Sequence, residues 1–197
     1  MFDMGPYYLT ALINLLGPIR RVTGSAGIQI TPRTITSQPL HGEKVDVETP
    51  DHVAGTIDFA SGAIGTIITS FATAFPRHDR RHPITIYGRE GTLQAPDPNG
   101  FAGSVLLRTF EDEEYREITV EHDHPTGRSL GVAEMAHAIR DNRPHRASGA
   151  LAFGVLASMQ GFLDAAETGQ AQTLETTCDR PAMLPVGLTD GDLSEAS

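Results

Sequence analysis

The sequence predicts an α+β fold, in which a predominantly antiparallel open sheet of about six strands carries helices on one face. A helical pattern opens the chain, β-rich runs with turn residues between them fill its middle, and two helical patterns follow. Neighbouring strands joined by short turns pair antiparallel, which accounts for the sheet type. Hydrophobic residues make up 39% of the 197 residues, so the chain can build a single core.

The first elements are a helix, a strand and a long loop. Residues 3–16 are predicted to be helical, with Asp3 capping the amino end and Gly17 stopping the helix. The β-branched run 19–30 is predicted to be a strand. The polar, proline-containing stretch 31–48 is interpreted as a loop with little regular structure.

A hairpin is the clearest pattern in the chain. The β-rich runs 52–59 and 63–71 flank the tight turn at Ser61 and Gly62. The remaining strands are predicted at 84–87, 92–95, 105–110, 115–121 and 172–175, and the remaining helices at 132–140 and 148–168. These elements form one domain, residues 1–188, followed by an acidic flexible tail, residues 189–197.

The sheet has a second face that the helices do not cover. Its apolar residues are predicted to be Ile57, Phe59, Ile64, Ile67 and Phe71. We expect this face to form a homodimer or homotetramer, or to be covered by a further domain, although half-solvated antiparallel sheets are also common.

Composition excludes several classes of protein. The net charge of −10 argues against a nucleic-acid binder, which needs a basic surface. The apolar stretches 7–16 and 150–163 are shorter than the roughly 18 to 20 residues of a membrane span, so none is predicted. Cys178 is the single cysteine, which excludes an internal disulfide and a cysteine-cluster zinc site. Because the start of the chain shows no secretory signal pattern, a cytoplasmic location is expected.

A polar strip runs along the first helix. Its four residues lie within a sector of about 60°; they are Asp3, Tyr7, Thr10 and Asn14. The strip can face solvent, with Asp3 as a cap. It can instead line a pocket in which Asp3 and Tyr7, one turn apart, bind and polarise a hydroxyl group.

Five further segments of the sequence carry a recognisable pattern: residues 2–7, 16–22, 53–59, 86–93 and 143–149. They resemble the second domain of a known family, the NAD(P)-dependent oxidoreductases called Gfo/Idh/MocA. The similarity extends to about Leu188. The resemblance implies a fold like the C-terminal domain of glyceraldehyde-3-phosphate dehydrogenase.

The resemblance also implies a function and a site. It implies oxidation or reduction of a hydroxyl or carbonyl carbon in a sugar, polyol or related small molecule. Tyr7 stands where the family has a His or Tyr that acts as acid/base or orients the hydroxyl, and Asp3 precedes it by four residues. Thr10 stands where many relatives have an Asp, so proton relay or substrate orientation is expected to differ. Thr10 and Asn14 are expected to bind substrate.

The expected cofactor is NAD or NADP, held by a Rossmann domain that this chain lacks. No G-x-G-x-x-G phosphate loop is present, and Lys44 does not match the family's lysine element. The chain is therefore predicted to be the substrate and oligomerisation half of such an enzyme, inactive by itself, with the cofactor domain in a longer protein or a separate chain. The alternative is a catalytically silent ligand-sensing or scaffold protein that uses the same sheet for assembly.

An Arg/His-rich segment follows the hairpin. His78 and His82 have a spacing that suits a metal only in a helix, and neighbouring prolines and arginines argue against that, so no metal site is predicted. The segment is either an exposed loop or a pocket edge, where His78 and Arg80 bind substrate.

Charged residues also surround the second helical pattern. Glu134, His137 and Arg140 are interpreted as a surface charge network. Residues 143–146 are interpreted as a connection between helices, with anion binding as the alternative.

Overall fold

A computed structural model describes residues 1–73, 82–101, 103–119, 127–175 and 178–185. The chain forms two compact units, the first made of Met1–Ala74 and Gly149–Arg180 and the second of Phe75–Ser148 and Pro181–Ser197. The helices and strands in chain order are α1 (Gly5–Leu16), β1 (Ile19–Gly27), β2 (Arg33–Thr34), β3 (Lys44–Val45), β4 (His52–Phe59), β5 (Ile64–Ser70), β6 (Ile84–Tyr87), β7 (Gly91–Ala95), β8 (Val105–Thr109), β9 (Arg116–Ile118), α2 (Leu130–Arg140), α3 (Gly149–Thr168) and β10 (Gln172–Thr173). The predicted boundary at residue 188 and the tail 189–197 lie outside the described residues.

The first unit is built on a four-stranded antiparallel sheet in the order β10-β1-β4-β5. The predicted hairpin is confirmed as β4 and β5, in register from His52 opposite Ser70 to Asp58 opposite Ile64. Gly62 has φ 89°, a conformation that favours glycine in a tight turn. β1 ends at Gly27, earlier than the predicted end at residue 30.

The connection from β1 to β4 is a projecting segment, residues 28–50, which we call the arm. The stretch 31–48 was expected to have little regular structure, but β2 and β3 pair within it, with Arg33 opposite Val45. No residue of the arm is buried, and the half-buried ones are Arg33, Ile35, Val47 and Pro50. The arm thus has backbone order without a core of its own.

Helices cover one face of this sheet, as predicted. α3 packs against β1 and β4, and α1 packs against α3. Phe162 is fully buried over two glycines of the paired strands β1 and β4, with its carbonyl on Gly24 and its ring on Gly55. A side chain at Gly24 would overlap the Phe162 carbonyl oxygen, and one at Gly55 would lie 2.7 Å from the ring. These two glycines allow α3 to approach the sheet closely.

The opposite face of the sheet, which we call the open face, differs in composition from the prediction. Ile57, Phe59 and Ile67 were assigned to it, but they are buried on the helical side. Side chains alternate along a strand, so Ile64 and Ile68 lie on the open face, where they are 79% and 70% exposed. Between them three threonines, Thr23, Thr56 and Thr66, lie side by side on adjacent strands. The assignment of the three buried residues was therefore wrong.

The second unit contains another four-stranded antiparallel sheet, in the order β6-β7-β8-β9, and helix α2. The acidic turn between β8 and β9 is closed by Asp112, whose carboxylate accepts the backbone N–H and the hydroxyl of Thr109, both at 2.8 Å. These two hydrogen bonds lower the pKa of Asp112. The predicted strands are thus present, but the last is shorter within the described residues, Arg116–Ile118.

Helix α3 is long and apolar enough to cross a membrane by length and composition, with 20 residues and a mean hydropathy of 1.3. The sequence prediction counted a shorter stretch, residues 150–163. Val155, Met159 and Phe162 of α3 are buried in the core of the first unit, the pattern of a core helix.

The α+β class with antiparallel sheets is confirmed. The strands are divided between two four-stranded sheets and a two-stranded ribbon, whereas the prediction had about six strands in one sheet. The sequence patterns indicate which consecutive strands pair, but they carry no signal for whether hydrogen bonding continues from one hairpin to the next.

Candidate functional site

The predicted polar strip lies on one side of α1, away from the buried side. Leu9 and Ile13 are buried in the core, whereas Tyr7 and Thr10 are half-buried and Asn14 is exposed. Tyr7 and Thr10 are therefore the strip residues that are partly shielded from water. The structure brings Tyr7, Thr10 and Asn14 together on this helix, as the spacing predicts.

Asp3 does not cap the helix, so this part of the prediction was wrong. α1 begins at Gly5, its N-cap position is Met4, and no side chain caps it. The N–H of Gly5 is instead bound by the Met1 carbonyl at 2.7 Å. Asp3 lies in the preceding turn with its side chain exposed. A carboxylate just before a helix is still favoured by the helix dipole.

The start of α1 lies at one particular end of the sheet. The Thr69 hydroxyl near the end of β5 is 3.9 Å from the Met1 sulfur. At the opposite end, the Ser61 hydroxyl donates to the carbonyl of Leu16, the last residue of α1, at 2.8 Å. Asp3 therefore lies where β5 ends and where the arm leaves β1 and enters β4. We call this the arm end of the sheet.

Asp51 organises the arm end and was not identified from the sequence. Its side chain is buried, and its carboxylate accepts the N–H groups of Gln29 at 2.7 Å and Ile30 at 3.2 Å. Its own backbone joins Gly27 and Phe71 at 3.1 and 2.8 Å. The hydrogen bond from Gln29 is the main cause that lowers the Asp51 pKa against the effect of burial. The signal available in the sequence was an aspartate directly before a strongly predicted strand.

A second charged cluster lies in the second unit, where the prediction of a surface network was wrong for Glu134. Glu134 is buried and accepts hydrogen bonds from Arg143 at 2.6 Å and from the Arg146 side chain at 2.8 Å. It is therefore not part of a surface network, although Arg140 does contact His137 at 2.9 Å. Arg143 and Arg146 thus bind a carboxylate of the protein itself, and the anion-binding alternative for residues 143–146 stays a prediction.

The pKa of Glu134 follows from this pairing. Burial alone would raise it, but the hydrogen bonds from Arg143 and Arg146 outweigh burial and lower it. Arg146 also donates to the carbonyls of Ala182 at 2.9 Å and Met183 at 3.0 Å. The cluster therefore fixes α2, the connection after it and the segment at residues 182–183 with respect to one another.

Two predicted substrate-binding residues, His78 and Arg80, lie outside the described residues. His82, which follows them, contacts the Ser104 carbonyl oxygen at 3.0 Å. Within the described ranges there is no group of three or more His, Cys, Asp or Glu that could hold a metal ion.

Comparison with known families identifies the first part of the chain. The sequence model of the GFO/IDH/MocA C-terminal domain matches residues 1–94, which include α1, β1 and the β4–β5 hairpin of the first unit. Residues 1–94 belong to the GFO/IDH/MocA C-terminal domain family. The resemblance inferred from the sequence is thereby confirmed for this region. No curated protein sequence matches the chain.

Solved structures similar to this GFO/IDH/MocA domain are oxidoreductases. A levoglucosan dehydrogenase in complex with NADH has a TM-score of 0.66 at 18% identity, over 87% of this chain and 49% of that one. An aldose-aldose oxidoreductase from Caulobacter crescentus complexed with glycerol has 0.63 at 19%, over 87% and 46%. An oxidoreductase from Agrobacterium radiobacter, in complex with NAD+, L-tartaric acid and magnesium, has 0.57 at 14%, over 87% and 48%.

These likenesses concern the fold. The chain spans about half the length of the solved structures that it matches. The described residues do not include the glycine-rich loop with which a Rossmann domain holds a dinucleotide. Gly24 and Gly27 lie within β1, and Gly24 is covered by the Phe162 carbonyl, so the described residues offer no glycine-rich turn between a strand and a helix.

Proposed function

We propose that this chain is the substrate-binding part of an NAD(P)-dependent oxidoreductase. The substrate is a sugar, a polyol or a related small molecule that reacts at a hydroxyl or carbonyl carbon. The observation that carries the proposal is the family match, because it includes α1 with its polar strip at the arm end. The similarity to a levoglucosan dehydrogenase and an aldose-aldose oxidoreductase supports the substrate class.

In this proposal the strip residues handle the reacting hydroxyl. Tyr7 exchanges the hydroxyl proton and Asp3 helps to orient the substrate. Thr10 and Asn14 hold neighbouring hydroxyl groups. His78 and Arg80 are proposed to complete the substrate contacts.

The proposed cofactor, NAD or NADP, belongs to a Rossmann domain in a longer protein or in a separate chain. It would exchange a hydride with the substrate carbon. The residues of this chain then bind and orient the substrate, and by themselves give no turnover. A cytoplasmic location is proposed with this function.

The test is a Tyr7→Phe substitution in a protein that contains both domains. We expect turnover to fall by about 100-fold or more, the usual contribution of an acid/base group, while NADH binding measured by nicotinamide fluorescence is retained. Tyr8→Phe is the matched control, because Tyr8 is adjacent, half-buried and packed against the core. Equal activities of the two variants would contradict the role of Tyr7.

The open face favours a second candidate function, a silent ligand-sensing or scaffold protein. Exposed Ile64 and Ile68 flank the threonine row on this face, which suits assembly with or without catalysis. A sensor that has lost redox chemistry would show no turnover in the two-domain protein before any substitution.

Assembly through the open face is proposed for both functions, as a homodimer or homotetramer. Ile68→Glu should convert the oligomer to monomers in sedimentation-velocity experiments. Ile139→Glu is the matched control, because Ile139 lies on α2 and has the same 70% exposure as Ile68. Dissociation by both variants, or by neither, would contradict an interface at the open face.

A further inference from the structure

The arm end of the sheet contains an arginine whose contacts differ from those of the other clustered charges. Arg33, in β2, is half-buried and its guanidinium donates to the Phe71 carbonyl. Among the residues that the structure describes, this carbonyl is its one hydrogen-bond partner. A guanidinium carries five N–H donors in a planar fork. Most of its hydrogen-bonding capacity is therefore available to a ligand.

The nearest acidic group does not use this capacity. Asp51 is close enough for the positive charge of Arg33 to lower its pKa, but the two form no ion pair in the described part of the chain. The Asp51 carboxylate is occupied by the N–H groups of Gln29 and Ile30. In contrast, the arginines around Glu134 point at a carboxylate of the protein itself.

Arg33 lies at the same end of the sheet as the start of α1. Phe71, which it contacts, follows Thr69 by two residues, and the Thr69 hydroxyl reaches Met1 at the start of α1. Two residues of extended chain span about 7 Å. Asp3 and Arg33 therefore belong to the same end of the sheet, within the first unit.

Hydrogen bonds hold the base of the arm, which gives Arg33 a defined position. The arm is fixed at residues 29, 30 and 33 by Asp51 and Phe71, and the β2–β3 pairing follows at once. A recognition group that is held before the ligand arrives loses less conformational entropy on binding. Rigid placement beside a site is what a specificity residue requires.

We infer that Arg33 is a substrate-recognition residue of the candidate site and selects molecules that carry a carboxylate or phosphate group. Guanidinium groups bind both anions through paired N–H donors. The inference rests on the proposed function and narrows its substrate class to acidic or phosphorylated sugars and polyols. It adds no covalent step to the reaction.

The experiment compares three probes on the same protein by calorimetric titration: D-gluconate, D-glucose 6-phosphate and uncharged sorbitol. Arg33→Gln removes the charge, and Arg33→Lys keeps the charge without the fork. Arg20→Gln is the matched control, an exposed arginine at the other end of β1. We expect Arg33→Gln to weaken at least one anionic probe about tenfold or more, with Arg33→Lys intermediate. Sorbitol binding and the Arg20→Gln protein should remain unchanged.

The outcomes separate recognition from a structural role and carboxylate from phosphate. A preference for gluconate or for glucose 6-phosphate identifies which anion the site takes. An equal loss of all three probes, or a change only in thermal stability, would overturn the inference in favour of a structural bond to Phe71. Because Arg33→Gln can unfold, the wild-type protein is also titrated while the Arg33 Nε–H signal is followed by NMR, and an unmoved signal overturns the inference.

The same titrations distinguish failure of the proposed sugar or polyol function from failure of the Arg33 inference. Binding of sorbitol without binding of either anionic probe overturns the role of Arg33 and leaves the sugar or polyol function standing. Absence of binding by all three probes counts against both. If inorganic phosphate displaced the anionic probes as effectively as they displace each other, Arg33 would belong to a general anion site. That result would overturn its role in substrate recognition.

Discussion

Substitution of Phe162 by alanine tests how the first unit is held together. Phe162 has no exposed surface, and its ring lies over Gly55 while its carbonyl covers Gly24. Replacing a buried phenylalanine by alanine costs about 3–5 kcal/mol, through lost burial and the cavity that remains. Gly24 and Gly55 are paired in the β1–β4 ladder, and neither has a side chain that could fill the cavity. We therefore expect a loss of about 4 kcal/mol, in the middle of that range.

Urea unfolding followed by far-ultraviolet circular dichroism measures this loss. With a urea dependence of about 2 kcal/mol per molar, the midpoint should fall by about 2 M. Phe153→Ala is the control in the same helix, because Phe153 is 57% exposed. It should change stability by no more than about 0.5 kcal/mol. Equal midpoints for the two variants, or a loss below about 1 kcal/mol for Phe162→Ala, would refute the packing argument.

Three further predictions concern other residues. Glu134→Ala should destabilise the protein by about 3 kcal/mol in thermal or urea unfolding, because it leaves two partly buried arginines without their carboxylate; an unchanged midpoint would exclude the cluster as a stabilising element. Asp51 and Glu134 have lowered pKa values, so their contribution to folding stability is present above the ordinary values of 3.8 and 4.5 and is lost as pH falls below them. A pH series of unfolding free energies should therefore be flat above about pH 5 and decline below it. A decline that starts near neutral pH would contradict this. Gly24→Ala should prevent stable folding, whereas Gly131→Ala, on an open part of α2, should stabilise the protein by roughly 0.5–1 kcal/mol. If both variants were soluble and equally stable, the close approach of α3 to the sheet would be disproved.

Local patterns predicted the hairpin and the helices well. Two β-rich runs around a glycine turn pair as a hairpin whose turn fixes the register, so β4 and β5 follow from the sequence. The same patterns failed for the open face. Ile64 and Ile67 are equally apolar, but their separation of three residues places them on opposite faces of β5.

The candidate site was predicted in part for a physical reason. Helical spacing is a local property, so the grouping of Tyr7, Thr10 and Asn14 could be read from the sequence. The hydrogen bonds of Asp51 and the position of Arg33 depend on contacts between residues 21 or more positions apart. Long-range contacts of this kind leave no periodic signal. The pairing of Glu134 spans 9 and 12 residues, across the end of α2, which is also beyond the helical spacings of three and four.

The division of the first unit along the chain has a consequence during synthesis. α1, β1, β4 and β5 are made before α3. Helix α3, which covers the apolar face of these strands, follows only after the 75–148 segment has been made. At about 5–20 residues per second, Val22, Ile57 and their neighbours remain uncovered for several seconds. The nascent chain thus presents an apolar sheet surface to chaperones before the helix that completes it leaves the ribosome. Ribosome-bound chains truncated before Gly149 should accordingly bind chaperones more strongly than those that extend beyond Thr168.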